Sequence, residues 1–329
     1  MLLRLVTIAL ALRANVVFAQ VDQDISEASS CIYAMHLNNS CIRKMDVLFR
    51  KECFHRLRDN EGQEESSFSR LILDLDSKKF LHLHRAERTT VDEKGEKKKE
   101  AWYIAAKYNH GKLDLSTPIM HGRPIARNFG DACISAELID MRFAGLTGFP
   151  VRFGARGFDF EKRLATINVA DNSRIPYRIE NRMPTSLRIV QRAAIPSSQN
   201  AFAQMIWFVD IEKTMPFEFV SSTSTQSDGQ AVANRNTSAQ YSWKELSECF
   251  VPRSIDQVAT GTHKKTSEDG KDQSYPYPRD EIFDFHWFSL NETISDSLID
   301  GLDISSFEKW MPLTDPKLSH ATDLEEREK

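Results

Sequence analysis

The chain has 329 residues, of which 41% are hydrophobic, enough apolar material for one large core or two small ones. Its formal charge of −4 at pH 7 argues against nucleic acid or an anionic membrane as the main partner. Five cysteines scattered over this length do not make a disulfide scaffold.

The chain opens with MLLRLVTIALALRANVVFAQ. Arg4 supplies a positive start, Leu5–Leu12 a short apolar core, and Val17-Phe18-Ala19 a cleavage-site pattern, so residues 1–19 read as a signal peptide cut after Ala19. Arg13 interrupts the apolar run, and no other segment reaches the roughly 18 apolar residues of a spanning helix. No transmembrane segment is therefore expected, and the localisation is periplasmic or secreted. Without Arg4 and Arg13 the mature chain keeps 41 basic against 47 acidic residues, a net of −6.

Residues 24–44 carry Ile25, Ala28, Ile32 and Met35 at helical spacing. Strands are predicted at Met45–Phe54, at Phe68–Asp76 and at Phe80–Arg88, the last two joined by a turn at residues 76–79. Residues 89–100 are a charged hairpin tip around Gly95. Ala101–Tyr108 and Lys112–Ser116 form the next hairpin. Between about 130 and 170 the pattern turns helical. Ile134, Leu138 and Met141 follow a candidate cap at Asp131, and Phe160, Leu164 and Ile167 form a second stripe.

Strands resume near Tyr177 and at Ser186–Arg192. Met205–Ile211 and Phe217–Ser222 read as a hairpin broken at Glu212-Lys213-Thr214. Residues 221–238 and 262–279 are polar and are predicted as two flexible loops. Gln240–Leu246, Phe250–Val258 and Ile282–Phe288 complete the strands. Ser305–Glu308 fits a capping box opening a short helix that Pro312 ends, and 313–329 is a polar tail. Ten or more hairpin-linked strands imply one wide antiparallel sheet, which tends to curl. The predicted fold class is mainly β (α+β), a curved antiparallel sheet or unclosed β-barrel with covering helices, occupying 20–312.

Cys31, Cys41, Cys53, Cys133 and Cys249 contain no C-x-x-C and read as small buried hydrophobes. On one helix Cys31 and Cys41 would lie ~15 Å apart, too far to bridge. A single bridge among the five stays open in an oxidising compartment. Asn38, Asn236 and Asn291 open N-x-S/T sequons, which matter only in a eukaryotic secretory route.

Several motifs carry a resemblance. A helix, hairpins and a helical insert precede W-F-V-D-I-E-K-T-M-P-F-E-F at 207–219. Ser242–Ile255 then reads SWKELSECFVPRSI, and Phe283–Glu292 reads FDFHWFSLNE. Over about 25–312 this order is similar to the LolA-like superfamily of periplasmic lipoprotein carriers, above all its large, divergent planctomycete-type members. The resemblance implies an apolar concave face that shields acyl chains, hence lipid or lipoprotein acyl chains as partners and no catalysis. Candidate lining residues are Trp102 and Ile104, Phe217 and Phe219, and Phe283, Phe285 and Trp287, each set expected to share a face. The same faces would serve equally as the packed core of a cell-envelope interaction module. The chain is longer than the bacterial carriers, and their lid-contacting arginine maps to no particular residue.

Enzymatic motifs are sparse. Asp74-Leu75-Asp76 has the form of a phosphatase loop but is followed by a turn and a strand instead of a helix. His82 and His84 have a metal-ligand spacing, with Asp74 or Asp76 as a third ligand across the hairpin, but more often mark a half-exposed polar face. His286 and Asp284 fall opposite Phe285, toward solvent. G-x-S-x-G, H-E-x-x-H, P-loop and G-x-G-x-x-G motifs are absent. No cofactor is expected.

Overall fold

The computed structural model describes residues 24–56, 62–91, 94–109, 112–116, 141–146, 176–194, 201–227, 230–266 and 272–300. The leader, most of the helical insert, the capping box at Ser305–Glu308 and the polar tail lie outside the described residues.

Alternating apolar residues build twelve strands, longer than the usual five or six residues in most cases. They are β1 (Lys44–Arg56), β2 (Gly62–Asp74), β3 (Lys79–Val91), β4 (Lys97–Asn109), β5 (Lys112–Ser116), β6 (Arg178–Arg182) and β7 (Ser186–Ala194). β8 (Ala201–Asp210), β9 (Met215–Ser227), β10 (Gln230–Leu246), β11 (Cys249–Thr266) and β12 (Asp272–Leu290) follow. They form one antiparallel sheet in the order β5-β4-β3-β2-β1-β12-β11-β10-β9-β8-β7-β6. The sheet is curved and unclosed, as the hairpin rhythm predicts. Two meanders, β1–β5 and β6–β12, meet along one seam where β1 pairs with β12. The chain between β5 and β6 joins the two opposite edges.

The two predicted flexible loops are corrected. Residues 221–227 and 230–238 continue β9 and β10, with Ser227 paired to Gln230. Likewise 262–266 pairs with 272–276 as the end of the β11–β12 hairpin. Polar Ser, Thr and Asn runs lack apolar alternation, yet a ladder of backbone hydrogen bonds needs none.

Local chemistry makes the turns. Asp74 Oδ1 accepts from the backbone N–H of Asp76 (3.0 Å) and Ser77 (2.9 Å), and Asp210 Oδ1 does the same for Glu212 and Lys213. Ser247 and Glu248 both have positive φ, closing a two-residue turn between Leu246 and Cys249.

Helix α1, residues 24–40, covers one face of the sheet. Its Ala28, Ile32, Met35, His36 and Asn39 fall on one stripe and are buried. A 3-10 turn at Met141–Phe143 leads into the buried stretch Ala144–Leu146 beside it. Asn39 Nδ2 donates to the carbonyls of Arg142 (3.0 Å) and Ala144 (2.9 Å). Gly145 has φ +76°, and a Cβ there would stand 2.7 Å from Pro216 and 3.0 Å from Trp243. The opposite face carries a smaller core. Ile294 and Ile299, around α2 (Asp296–Asp300), pack on Ile72, Leu81 and Leu83.

The cysteines also need correction as a set of unpaired hydrophobes. Cys41, just past α1, is bridged to Cys249 at the start of β11, with a Cα–Cα distance of 6.6 Å and a sequence separation of 208. Cys31 and Cys53 are free thiols. The bridge closes a long loop, so reduction, or Cys249→Ser, is expected to cost roughly 2–5 kcal/mol. Urea midpoints with and without reductant measure this, and coincident midpoints would contradict it.

Candidate binding face

The face beneath α1 has two sectors. One is aromatic and aliphatic. Phe283 and Phe285 stack at 6.3 Å, Phe49 lies 5.7 Å from Phe285, and Trp287 Nε1 donates to the Pro252 carbonyl at 2.9 Å. Trp207 packs against Phe219 (5.6 Å) and edge-on to Tyr177 (5.8 Å). All belong to the cluster that includes Ala28, Ile32 and Met35 of α1.

The other sector is a buried polar band. Cross-strand register sets Arg88, Glu65, Cys53, Glu281, Gln257 and Ala239 in one row over β3, β2, β1, β12, β11 and β10. Glu281, only 1% exposed, accepts from Gln257 (2.5 Å) and pairs with Lys51 and Arg279, both at 3.2 Å. Lys51 also reaches Glu65 (3.7 Å), which Arg88 approaches at 3.4 Å. Burial alone would raise the Glu281 pKa, but Lys51, Arg279 and Gln257 outweigh it and hold the carboxyl below its usual range. A thiol, an imidazole and a phenol continue the band. Cys53 Sγ lies 3.2 Å from His55 Nε2, and His55 Nδ1 lies 2.6 Å from the Tyr277 hydroxyl. Burial pushes Cys53 up to about 12 and, with Arg279 nearby, His55 down to about 4. Both stay neutral near pH 7, the opposite of the ion pair that activates a catalytic cysteine.

The predicted lining residues separate. Phe283, Phe285 and Trp287 share the inner face, as the period of two requires. Phe217 and Phe219 do not share one, which corrects the expectation. Register shifts between Phe208 and Val209, which pair with Glu218 and Pro216, so Phe217 is the extra residue of a β-bulge. Phe219 is 1% exposed in the core, whereas Phe217 is 42% exposed beside Phe208 on the outer face. Register sets Trp102 opposite Ala86 and Ile104 opposite His84.

His82 and His84 are also corrected, being buried and not half-exposed. They point inward from β3 with rings 6.0 Å apart, and His84 Nδ1 meets the Ser69 hydroxyl at 2.7 Å. Asp74 and Asp76 are occupied at the turn, Asp76 by Arg43 at 2.6 Å. Among the described residues no three His, Cys, Asp or Glu side chains are placed to hold a metal ion. On the outer face His286 stands edge-on to Phe288 at 4.7 Å and is only partly exposed, which qualifies its expected solvent exposure.

Sequence reasoning missed the polar band, although its signal was present. Lys51 and Cys53 follow Val47 and Phe49 at spacing two, and Glu281 precedes Phe283 by two. Among the described residues no helix is long and apolar enough to cross a membrane.

No family model matches the sequence, and no curated protein is detectably similar. Among solved structures the chain is similar to a DUF1329 family protein from Desulfovibrio piger, at 7% identity and a TM-score of 0.34, over 85% of this chain and 99% of that one. It is similar to a LolA superfamily protein from Nitrosomonas europaea, at 9% identity and a TM-score of 0.30, over 82% and 98%. A porin-like protein from Bacteroides uniformis matches at 6% identity and a TM-score of 0.22, over 74% and 97%. Likeness of this order says nothing about a ligand.

Removing one partner from the buried ionic band leaves the others uncompensated. Lys51→Ala is expected to destabilise by roughly 3–5 kcal/mol, read as a lowered urea midpoint; a loss under about 1 kcal/mol would contradict this. Stability should also fall with acid. Burial holds His36 and His55 at about 4 when folded, against about 6.5 unfolded. Between those values the unfolded chain binds protons that the folded chain refuses, so stability drops as pH falls from 7 toward 4. A melting temperature that does not fall between pH 7 and pH 5 would contradict the burial.

Proposed function

We propose that the protein is an exported, non-catalytic binding protein that holds a lipid or an acylated partner between α1 and the inner face of the sheet. The supporting observation is the unequal fastening of α1 over an aromatic surface. At its C-terminal end the helix is bonded through Cys41 to Cys249, and Asn38 exchanges hydrogen bonds with the Phe250 backbone at 2.9 and 2.7 Å. At its N-terminal end half-exposed Arg182 pairs with Asp24 and Glu27, each at 2.7 Å. Exposed pairs of this kind contribute about 0–1 kcal/mol, so that end is held chiefly by the burial of Ala28 and Ile32, without a covalent or buried polar tie. Lifting it would open to a ligand the core cluster that Ala28 and Ile32 share with Trp207 and Phe219. Ten methylenes buried there would gain about 8 kcal/mol, of micromolar order before ordering costs.

A second reading has its own support. Phe283, Phe285 and Trp287 are already buried in the core cluster to which α1 contributes, which is what a cell-envelope interaction module with a filled core requires. Its working surface would be the outer face and the hairpin ends. His82 and His84 lack the third ligand that a metal-dependent hydrolase would need from the described residues.

Native mass spectrometry of residues 20–329, purified from a periplasm without detergent, separates the two. Co-purifying acyl species are expected on the carrier reading. Apo protein that also ignores a fluorescent fatty-acid probe favours the module. On the carrier reading Arg182→Ala should speed probe uptake several-fold with little change in melting temperature. Unchanged uptake would count against α1 as the moving part.

A further inference from the structure

Three indoles have described side chains, and two of them satisfy their N–H within the protein. Trp243 Nε1 donates to the Pro216 carbonyl at 2.6 Å, and Trp287 Nε1 to that of Pro252. Trp207 differs. It is 2% exposed, and among the described residues its Nε1 has no acceptor. A buried donor left unpaired costs about 1–3 kcal/mol, so such a position is rare unless something else accepts from it. The Tyr177 ring stands edge-on to it with centroids 5.8 Å apart, and the Tyr177 hydroxyl is engaged with Gln191.

The position is specific. Trp207 lies in the middle of the β6–β10 half of the inner face, paired across the ladder with Ile189 and Phe219. The covering helix brings a second such atom to the same layer. His36 is buried on the sheet-facing stripe of α1, and its Nδ1 has no partner among the described residues. Burial keeps that imidazole neutral at pH 7. The inward residues around Trp207 on β7, β8 and β9 are Leu187, Ile189, Gln191, Met205, Val209 and Phe219, none of them charged.

We infer that Trp207 Nε1 is the hydrogen-bond donor for the carbonyl oxygen of a neutral acyl ester or amide whose hydrocarbon chain lies between α1 and the sheet. This rests on the lipid-binding reading and names the ligand class. A donor in this uncharged setting pairs well with an ester or amide oxygen, whereas a carboxylate there would be desolvated with no cation among the inward residues of β7, β8 and β9. Acylglycerols and lipidated polypeptides share this chemistry; a free fatty-acid anion lacks it.

The test uses the mature chain and two probes that differ in one carbonyl, 1-monomyristoylglycerol and 1-O-tetradecylglycerol. Both are titrated below their micelle-forming concentrations against wild type and Trp207→Phe, which keeps an aromatic ring and removes the donor. Wild type is expected to prefer the ester over the ether by roughly five- to tenfold, the worth of one hydrogen bond. Trp207→Phe should bind both alike, at the wild-type affinity for the ether. Equal binding of the two probes by wild type, or a preference that survives Trp207→Phe, overturns the assignment while leaving the lipid reading intact. Failure of wild type to bind either probe overturns the lipid reading and the assignment together. Circular dichroism and melting of Trp207→Phe verify the fold. If that variant unfolds, Trp207→His, which restores a ring N–H, should recover the preference where it folds, and a folded Trp207→His without it overturns the assignment.

Discussion

The junction around Cys41 is the constraint on which the two-layer arrangement depends. The end of α1, the starts of β1 and β11 and the end of β12 converge there. The disulfide joins the first of these to β11, and Asn38 pairs both ways with Phe250. Asn291, with φ 59°, donates to the Cys41 carbonyl at 2.7 Å and accepts from the Arg43 N–H at 2.9 Å. Helix and sheet therefore keep their relative placement through covalent and charge-free polar bonds, and hydrophobic contact along the stripe only has to fill the space between them.

The inner face then divides by chemistry. Lys51, Glu65, Arg88, Arg279 and Glu281 pair with one another in the band across β3, β2, β1 and β12, where desolvation is tolerable only because each charge has a partner of opposite sign. The part of the aromatic sector on β7, β8 and β9 carries no such network among the described residues. Ionic pairing rigidifies one half of the sheet by direction-dependent bonds, and the other half is held by contacts that do not depend on direction and can repack.

Much of the fold was legible because strand alternation and turn chemistry are local. The inward set of β12 follows from the spacing of Phe283, Phe285 and Trp287, and the turn at Asp74 from its side chain. Legibility ended where register decides. Phe217 and Phe219 alternate correctly, yet one inserted residue opposite β8 turns Phe217 outward. The hairpin ends of β9–β10 and β11–β12 look like loops because their residues are polar, although their pairing is made by the backbone. Cys249 could be matched to Cys41 only once both meanders are in place. Trp207 gives no sequence sign of its unpaired N–H, which depends on which carbonyls the finished sheet leaves nearby.

The strand order has a kinetic consequence. Each meander pairs only consecutive strands, and among the strand pairings the β1–β12 seam is the one that joins distant parts of the chain. Loop closure over that span is the expected slow step, because its entropy is lost before its contacts form. Half the sheet can assemble while the other half is still emerging, and the bond from Cys41 to Cys249 records that the halves have met. A chain permuted so that β12 leads directly into β1, and cut between β5 and β6, would be a meander throughout, with the same sheet and no long-range closure to wait for.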